Sequence, residues 1–109
     1  MKKPMKEMAV HTWLRAQMKK RYGKQQIYIK SPPGIYSSRR GISDFVWCVK
    51  GMFIAIEVKS PIGKITLIQQ NFLDEVDAAG GLGLCCVGKD ESIFQKIDDW
   101  IANPIRPEN

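Results

Sequence analysis

Lys50-Gly51 constrains this chain more tightly than any other feature. Apolar runs flank it, Phe45-Val-Trp-Cys-Val49 on one side and Met52-Phe-Ile-Ala-Ile56 on the other. They read as two short strands joined by a tight turn in which glycine takes a positive φ. A two-residue loop sets Val49 opposite Met52 and carries the pairing back to Asp44 opposite Glu57. Cross-strand partners share a sheet face, with Cβ atoms about 4.5–5.5 Å apart. The period of two brings Lys59 to that face as well. Two carboxylates and an ammonium then converge at one end of a hairpin, the residue types of a metal site that meets a phosphate.

The opposite face tests the register. Phe45, Trp47, Val49, Met52, Ile54, Ile56 and Val58 form an almost unbroken apolar surface there. A slip of one residue would send the two carboxylates to opposite faces. Lys-Gly is a less favourable type I′ turn than Asn-Gly, so a bulged turn that shifts the pairing is one alternative. A solvated surface pair beside a lysine is the other.

The remaining elements follow from periodicity and punctuation. Residues from about Met5 to Tyr22 repeat Val10, Trp13, Leu14, Met18 and Tyr22 at helical spacing, and Gly23 stops the helix. Glu7 belongs to the stripe of Val10, Leu14 and Met18, where a carboxylate needs a partner or a metal. Its position in the first turn also suits the helix dipole. His11, one turn later, reads as a structural histidine at a helix edge, with metal ligation as the alternative. Gln25 to Lys30 is strand-like. Ser31 to Gly41 is a loop by its Pro, Gly and Ser content and carries Tyr36, Arg39 and Arg40 toward Asp44. Thr66 and Gln69 have capping-box spacing for a helix with Ile68, Phe72, Leu73 and Val76 on its buried side, closed by Gly80-Gly81. Leu82 to Val87 reads as a buried strand, parallel after a crossover. Ser92 and Gln95 offer a second capping box for a last helix to about Ile101, and residues 103–109 form a tail. The order is α-β-β-β-α-β-α around a mixed sheet.

A chain of 109 residues makes one domain, residues 1–109, with no room for a second catalytic module. The Met1-Lys-Lys start is followed by Pro4, Lys6, Glu7 and His11, which interrupt a signal-peptide core. No run reaches the roughly 18 apolar residues of a membrane span. Cys48, Cys85 and Cys86 are odd in number, lack zinc spacing and sit in apolar runs. They read as buried small hydrophobes, and the chain as intracellular with no membrane partner. The net charge of +6 is unevenly spread: residues 1–50 hold twelve Lys or Arg against two acids, residues 51–109 five against nine. Such a basic half is the electrostatic footprint of a polyanion partner, although a charged solubilising helix face would account for part of it.

Taken together, these residues resemble a known family. The helix-one Glu7, Gly41-x-x-Asp44, Ile56-Glu57-Val58-Lys59, Gly63-Lys64, and Thr66-x-x-Gln69 opening a helix that ends in glycine are similar to the VRR-NUC domain. That domain belongs to the PD-(D/E)XK nuclease superfamily, and the resemblance runs from Glu7 to about Ile101. One departure is Ser43, where the family often has proline before the aspartate.

The resemblance implies a PD-(D/E)XK α/β core, αβββαβ, and assigns roles by position. Asp44, Glu57 and the Val58 carbonyl are implied as ligands of a divalent metal. Lys59 is implied to activate water and neutralise the phosphate. Glu7 is implied to bind a metal through water or to hold a second one, and Gln69 to stand beside the site. Lys30 matches the lysine of the strand before the metal loop, and with Arg39 and Arg40 is expected to contact DNA phosphates.

Independently of any family, hard oxygen ligands without a Cys/His set favour Mg²⁺ or Mn²⁺ over Zn²⁺. Such an ion polarises a phosphoryl oxygen and lowers the pKa of bound water. The expected activity is hydrolysis of phosphodiester bonds in structured DNA, of the Holliday-junction or flap type. Small stand-alone members of the family come from phages or bacteria, which places the expected activity in the cytoplasm of a bacterial or phage-infected cell. Cutting both arms of a junction needs two sites, hence a homodimer. The alternative is a non-catalytic nucleic-acid-binding module with the same fold, and RNA is the weaker substrate reading.

Overall fold

Two successive left-handed residues, Lys50 at φ 51° and Gly51 at φ 81°, close the hairpin as a two-residue turn. Val49 therefore faces Met52, and the pairing of β2 (Phe45–Val49) with β3 (Met52–Lys59) runs without a bulge to Phe45 opposite Ile56. The computed structural model describes residues 5–31 and 41–104. Arg39, Arg40 and Tyr36, and the tail beyond Pro104, lie outside the described residues.

The other elements are α1 (Glu7–Tyr22), β1 (Gln26–Lys30), α2 (Leu67–Ala78), β4 (Leu82–Val87) and α3 (Ser92–Ala102), with a short 3₁₀ turn after α1. The sheet order is β1-β2-β3-β4. β1 and β2 are antiparallel, as are β2 and β3, whereas β4 runs parallel to β3 after the α2 crossover. The chain is thus an α/β protein with a mixed four-stranded sheet.

Alternation along the strands divides the sheet into unequal faces. Phe45, Trp47, Val49, Ile54, Ile56 and Val58 are fully buried under α1, which contributes Val10, Leu14, Met18 and Tyr22, and under α3, with Ile93, Phe94 and Ile97. The Tyr22 hydroxyl donates to Asp98 at 2.7 Å and ties the two helices together. On the other face α2 sets Leu73 and Val76 over Ala55. Gly83 permits this contact, because a Cβ there would stand 2.5 Å from the Leu73 carbonyl oxygen. That helix leaves much of β1, β2 and the start of β3 uncovered, so Ile27, Ile29 and Phe53 are exposed.

Several local expectations are corrected. Cys48 is exposed because it lies on the uncovered part of that face, while Cys86 alone of the three cysteines is buried. Ile68 is exposed on the first turn of α2, beside Gly41 of the loop. The second capping box does not form. Ser92 is already helical, and Asp90 Oδ1 accepts both its amide, at 3.0 Å, and its hydroxyl, at 2.6 Å.

Candidate metal centre

Asp44 follows directly from the hairpin register, one residue before β2 begins. Its Oδ2 accepts the Val58 amide at 2.8 Å, so the carboxylate takes the place of the next rung of the ladder. In return the Asp44 amide donates to Glu57 Oε2 at 3.2 Å. Ser31 fastens the same segment from β1, its amide donating to the Asp44 carbonyl at 2.9 Å and its hydroxyl to the Ser43 carbonyl at 2.7 Å. Ser43 is buried, and its hydroxyl donates to the Phe45 carbonyl at 2.8 Å. The residue that replaces proline is therefore a tie within the loop. Gly41 turns the chain into this loop at φ 80°, where a Cβ would sit 2.5 Å from Ile68 of α2.

Glu57 is 2 % exposed on the α2 side of β3. Lys59 Nζ stands 3.6 Å from Glu57 Oε1 and is itself mostly buried. Gln69 reaches the same oxygen, its Nε2 donating to Glu57 Oε1 at 3.1 Å. Its other end closes the helix cap, with Oε1 accepting the Thr66 amide at 3.0 Å and the Gln69 amide donating to Thr66 Oγ1 at 3.2 Å. One glutamine side chain thus caps α2 and fixes Glu57. Burial pushes the Glu57 carboxyl from 4.5 up to about 8, and the neighbouring Asp44 adds to the rise while Lys59 opposes it. Without a cation the buried acid carries a proton at neutral pH.

The Val58 carbonyl lies on the same edge as Asp44. Successive residues in a strand direct their peptide groups to opposite edges. The Lys59 carbonyl faces β4, where it accepts the Gly88 amide at 2.8 Å. Val58 therefore presents its peptide groups toward the β2 edge.

From the other face α1 brings Glu7 and His11. His11 Nε2 lies 3.5 Å from Glu7 Oε1 and 3.8 Å from Asp44 Oδ2. The sequence favoured a structural role for this histidine, yet it is 4 % exposed, and neither ring nitrogen has a hydrogen-bond partner among the described residues. Its ring packs against Phe45, with centroids 5.1 Å apart. The signal that could have raised its standing is the i, i+4 spacing from Glu7, which projects two ligands from one helix face.

Asp44 is thus the joint between two groups. Glu57, Lys59 and Gln69 approach from the α2 side, and Glu7 and His11 from the α1 side. Lys30 is exposed at the end of β1, paired with Phe45 and adjacent to the Ser31–Asp44 tie. The groups gathered around Asp44 are ones that could hold a metal ion: the carboxyls of Glu7, Asp44 and Glu57, the Val58 carbonyl on their edge and an imidazole without a hydrogen-bond partner among the described residues. No family model, curated protein or solved structure matches this chain.

Proposed function

We propose that this chain is a divalent-metal-dependent nuclease of the PD-(D/E)XK type, in the VRR-NUC branch, hydrolysing phosphodiester bonds in branched or otherwise structured DNA. The observation that carries the reading is the buried Glu57 carboxyl set against Asp44 with Lys59 beside it. A module that only binds nucleic acid has no use for a buried acid set against a second carboxyl group where a phosphate must approach. The element order supports the same reading, since an αβββαβ core is what the resemblance implies.

In this reading Asp44, Glu57 and the Val58 carbonyl hold Mg²⁺ or Mn²⁺. The bound ion supplies Lewis acidity toward a phosphoryl oxygen and a water of lowered pKa. Lys59 supplies a fixed positive charge for the oxygens that gain negative charge in the transition state. Gln69 donates to the same Glu57 oxygen that faces the Lys59 ammonium and so helps to hold the carboxyl in place. Exposed Lys19, Lys20, Lys24 and Lys30 offer phosphate contacts along the α1 and β1 side. Arg39 and Arg40 extend the set from outside the described residues. Paired cuts in a junction require a homodimer, and exposed Ile27, Ile29 and Phe53 supply apolar surface for one.

Labelled duplex, single-stranded, flap, splayed-arm and four-way-junction DNAs, incubated with Mg²⁺, Mn²⁺ or EDTA, test the proposal. The expected result is metal-dependent cleavage of a branched substrate that Asp44→Ala and Glu57→Ala abolish without loss of the fold. DNA binding without cleavage under every metal condition would favour the non-catalytic module instead.

A further inference from the structure

We infer that His11 is a metal ligand, and that Glu7, His11 and Asp44 form a mixed imidazole–carboxylate site selecting a first-row transition-metal dication over Mg²⁺. One ligand atom from each residue lies within 4.8 Å of the other two. The individual separations from His11 Nε2 are 3.5 Å to Glu7 and 3.8 Å to Asp44. Ligands bound at about 2.1 Å to one ion stand roughly 3.0–3.5 Å apart in octahedral or tetrahedral geometry. Asp44 Oδ2 is held by the Val58 amide, and an ion at about 2.1 Å from each atom spans its 3.8 Å separation from His11; the half-exposed Glu7 side chain supplies the remaining adjustment.

The independent observation is the histidine itself. An imidazole 4 % exposed, with both nitrogens lacking a hydrogen-bond partner among the described residues, is costly to leave that way. Its Nε2 points between two carboxylate oxygens at distances too long for hydrogen bonds and suited to a shared cation. Packing fixes its place: His11 lies in the second turn of α1 beside Val10 and Leu14, both fully buried, and against Phe45.

The nitrogen changes which ion is chosen. Mg²⁺ prefers oxygen ligands and retains its waters. Imidazole is a ligand of transition metals, whose affinity rises from Mn²⁺ through Co²⁺. The oxygen-only reading of the sequence treated Mg²⁺ and Mn²⁺ alike; a histidine in the set separates them. Asp44 belongs to both this group and the Glu57 group, so the inference adds to the site of the proposed nuclease. It does not require that the chain cleave anything.

His11 is the only histidine in the chain, which makes the test direct. Untagged, EDTA-treated protein is loaded with Mn²⁺ and its electron-spin-echo modulation recorded, alongside calorimetric titration with MgCl₂, MnCl₂ and CoCl₂. The expected result is modulation from a directly bound imidazole nitrogen in the wild-type protein. Affinity should rise from Mg²⁺ to Mn²⁺ to Co²⁺, with at least about tenfold between the first two. His11→Gln should abolish the modulation and lower Mn²⁺ affinity about tenfold, while Mg²⁺ affinity changes less than about threefold. Bound Mn²⁺ without nitrogen modulation in the wild-type protein would overturn the inference, whether or not the variant folds. Nitrogen ligation in a protein that cleaves no DNA would uphold this site and sink the nuclease reading. Metal-dependent cleavage without nitrogen ligation would do the reverse.

Discussion

Glu57→Gln should act in opposite directions on stability and on metal binding, and the size of the first effect follows from the burial of the acid. In the folded, metal-free protein the Glu57 carboxyl keeps its proton up to about pH 8, whereas an unfolded chain releases it near 4.5. Between those values the folded state binds more protons, so its stability falls as pH rises. The interval of about 3.5 pH units sets a ceiling of roughly 5 kcal/mol, at about 1.4 kcal/mol per unit. Relaxation and water entry bring the expected loss to on the order of 2–3 kcal/mol. Glutamine has the shape of the protonated acid and never acquires a charge; its NH2 replaces one of the oxygens that accept from Asp44 and Gln69, a cost that does not change with pH.

The assay is thermal melting by circular dichroism in EDTA from pH 5 to 8.5, for the wild-type protein and for Glu57→Gln. The difference between their Tm values cancels groups that titrate alike in both. One kcal/mol moves Tm by about 4–8 °C in a domain of this size, so the wild-type protein should lose roughly 10–20 °C against the variant across that range. Saturating Mn²⁺ at pH 8 should raise the Tm of the wild-type protein, which binds the ion only when folded, and raise that of the variant less, since the variant keeps Glu7, His11 and Asp44 but lacks the Glu57 carboxylate. A Tm difference that stays constant with pH would refute the argument that Glu57 is a strained, proton-holding acid.

Lys59→Ala should lower the single-turnover cleavage rate by at least about 10²-fold, the scale of losing one transition-state stabiliser; a fall in DNA affinity alone would make it a phosphate contact. Gln69→Glu separates the two tasks of that residue. It retains the helix cap but sets a third carboxylate against Glu57, so in EDTA it should destabilise the protein more at pH 8 than at pH 5, as melting curves would show. Replacing Lys30, Arg39 and Arg40 together by alanine should make the slope of log affinity against log salt shallower by roughly 0.7–0.9 per lost contact. An unchanged slope in filter binding would remove them from the DNA path.

The hairpin was legible because its determinants are local. Lys50-Gly51 supplies both left-handed residues, so the register, and with it the facing of Asp44 and Glu57, follows from a strict period of two. The capping role of Gln69 was legible for a similar reason, the spacing from Thr66 at the start of α2, whereas its place beside Glu57 was implied by the resemblance alone. His11 was not legible. Its burial depends on Phe45 and Asp44, more than thirty residues along the chain, and helical spacing alone places it beside the stripe without saying what lies opposite. Ser92 misled because its spacing to Gln95 is that of a cap, while Asp90, two residues earlier, competes for the same hydrogen bonds. Cys48 and Ile68 were expected inside because strands and helices that look amphipathic carry no statement of how far their cover extends.

Gly83 has no chemistry of its own, yet it governs how closely α2 can approach the sheet. Leu73, whose carbonyl fills the place of the missing side chain, lies one turn beyond Gln69 on the same helix. Any bulk added at position 83 lifts that turn and draws Gln69 away from Glu57. The grip on the acid would slacken while every polar residue of the centre kept its identity. Any constraint on that grip therefore reaches a residue that makes no polar contact with the acid. A chain that kept Asp44, Glu57, Lys59 and Gln69 but carried a larger residue at 83 would retain the signature and lose the fit.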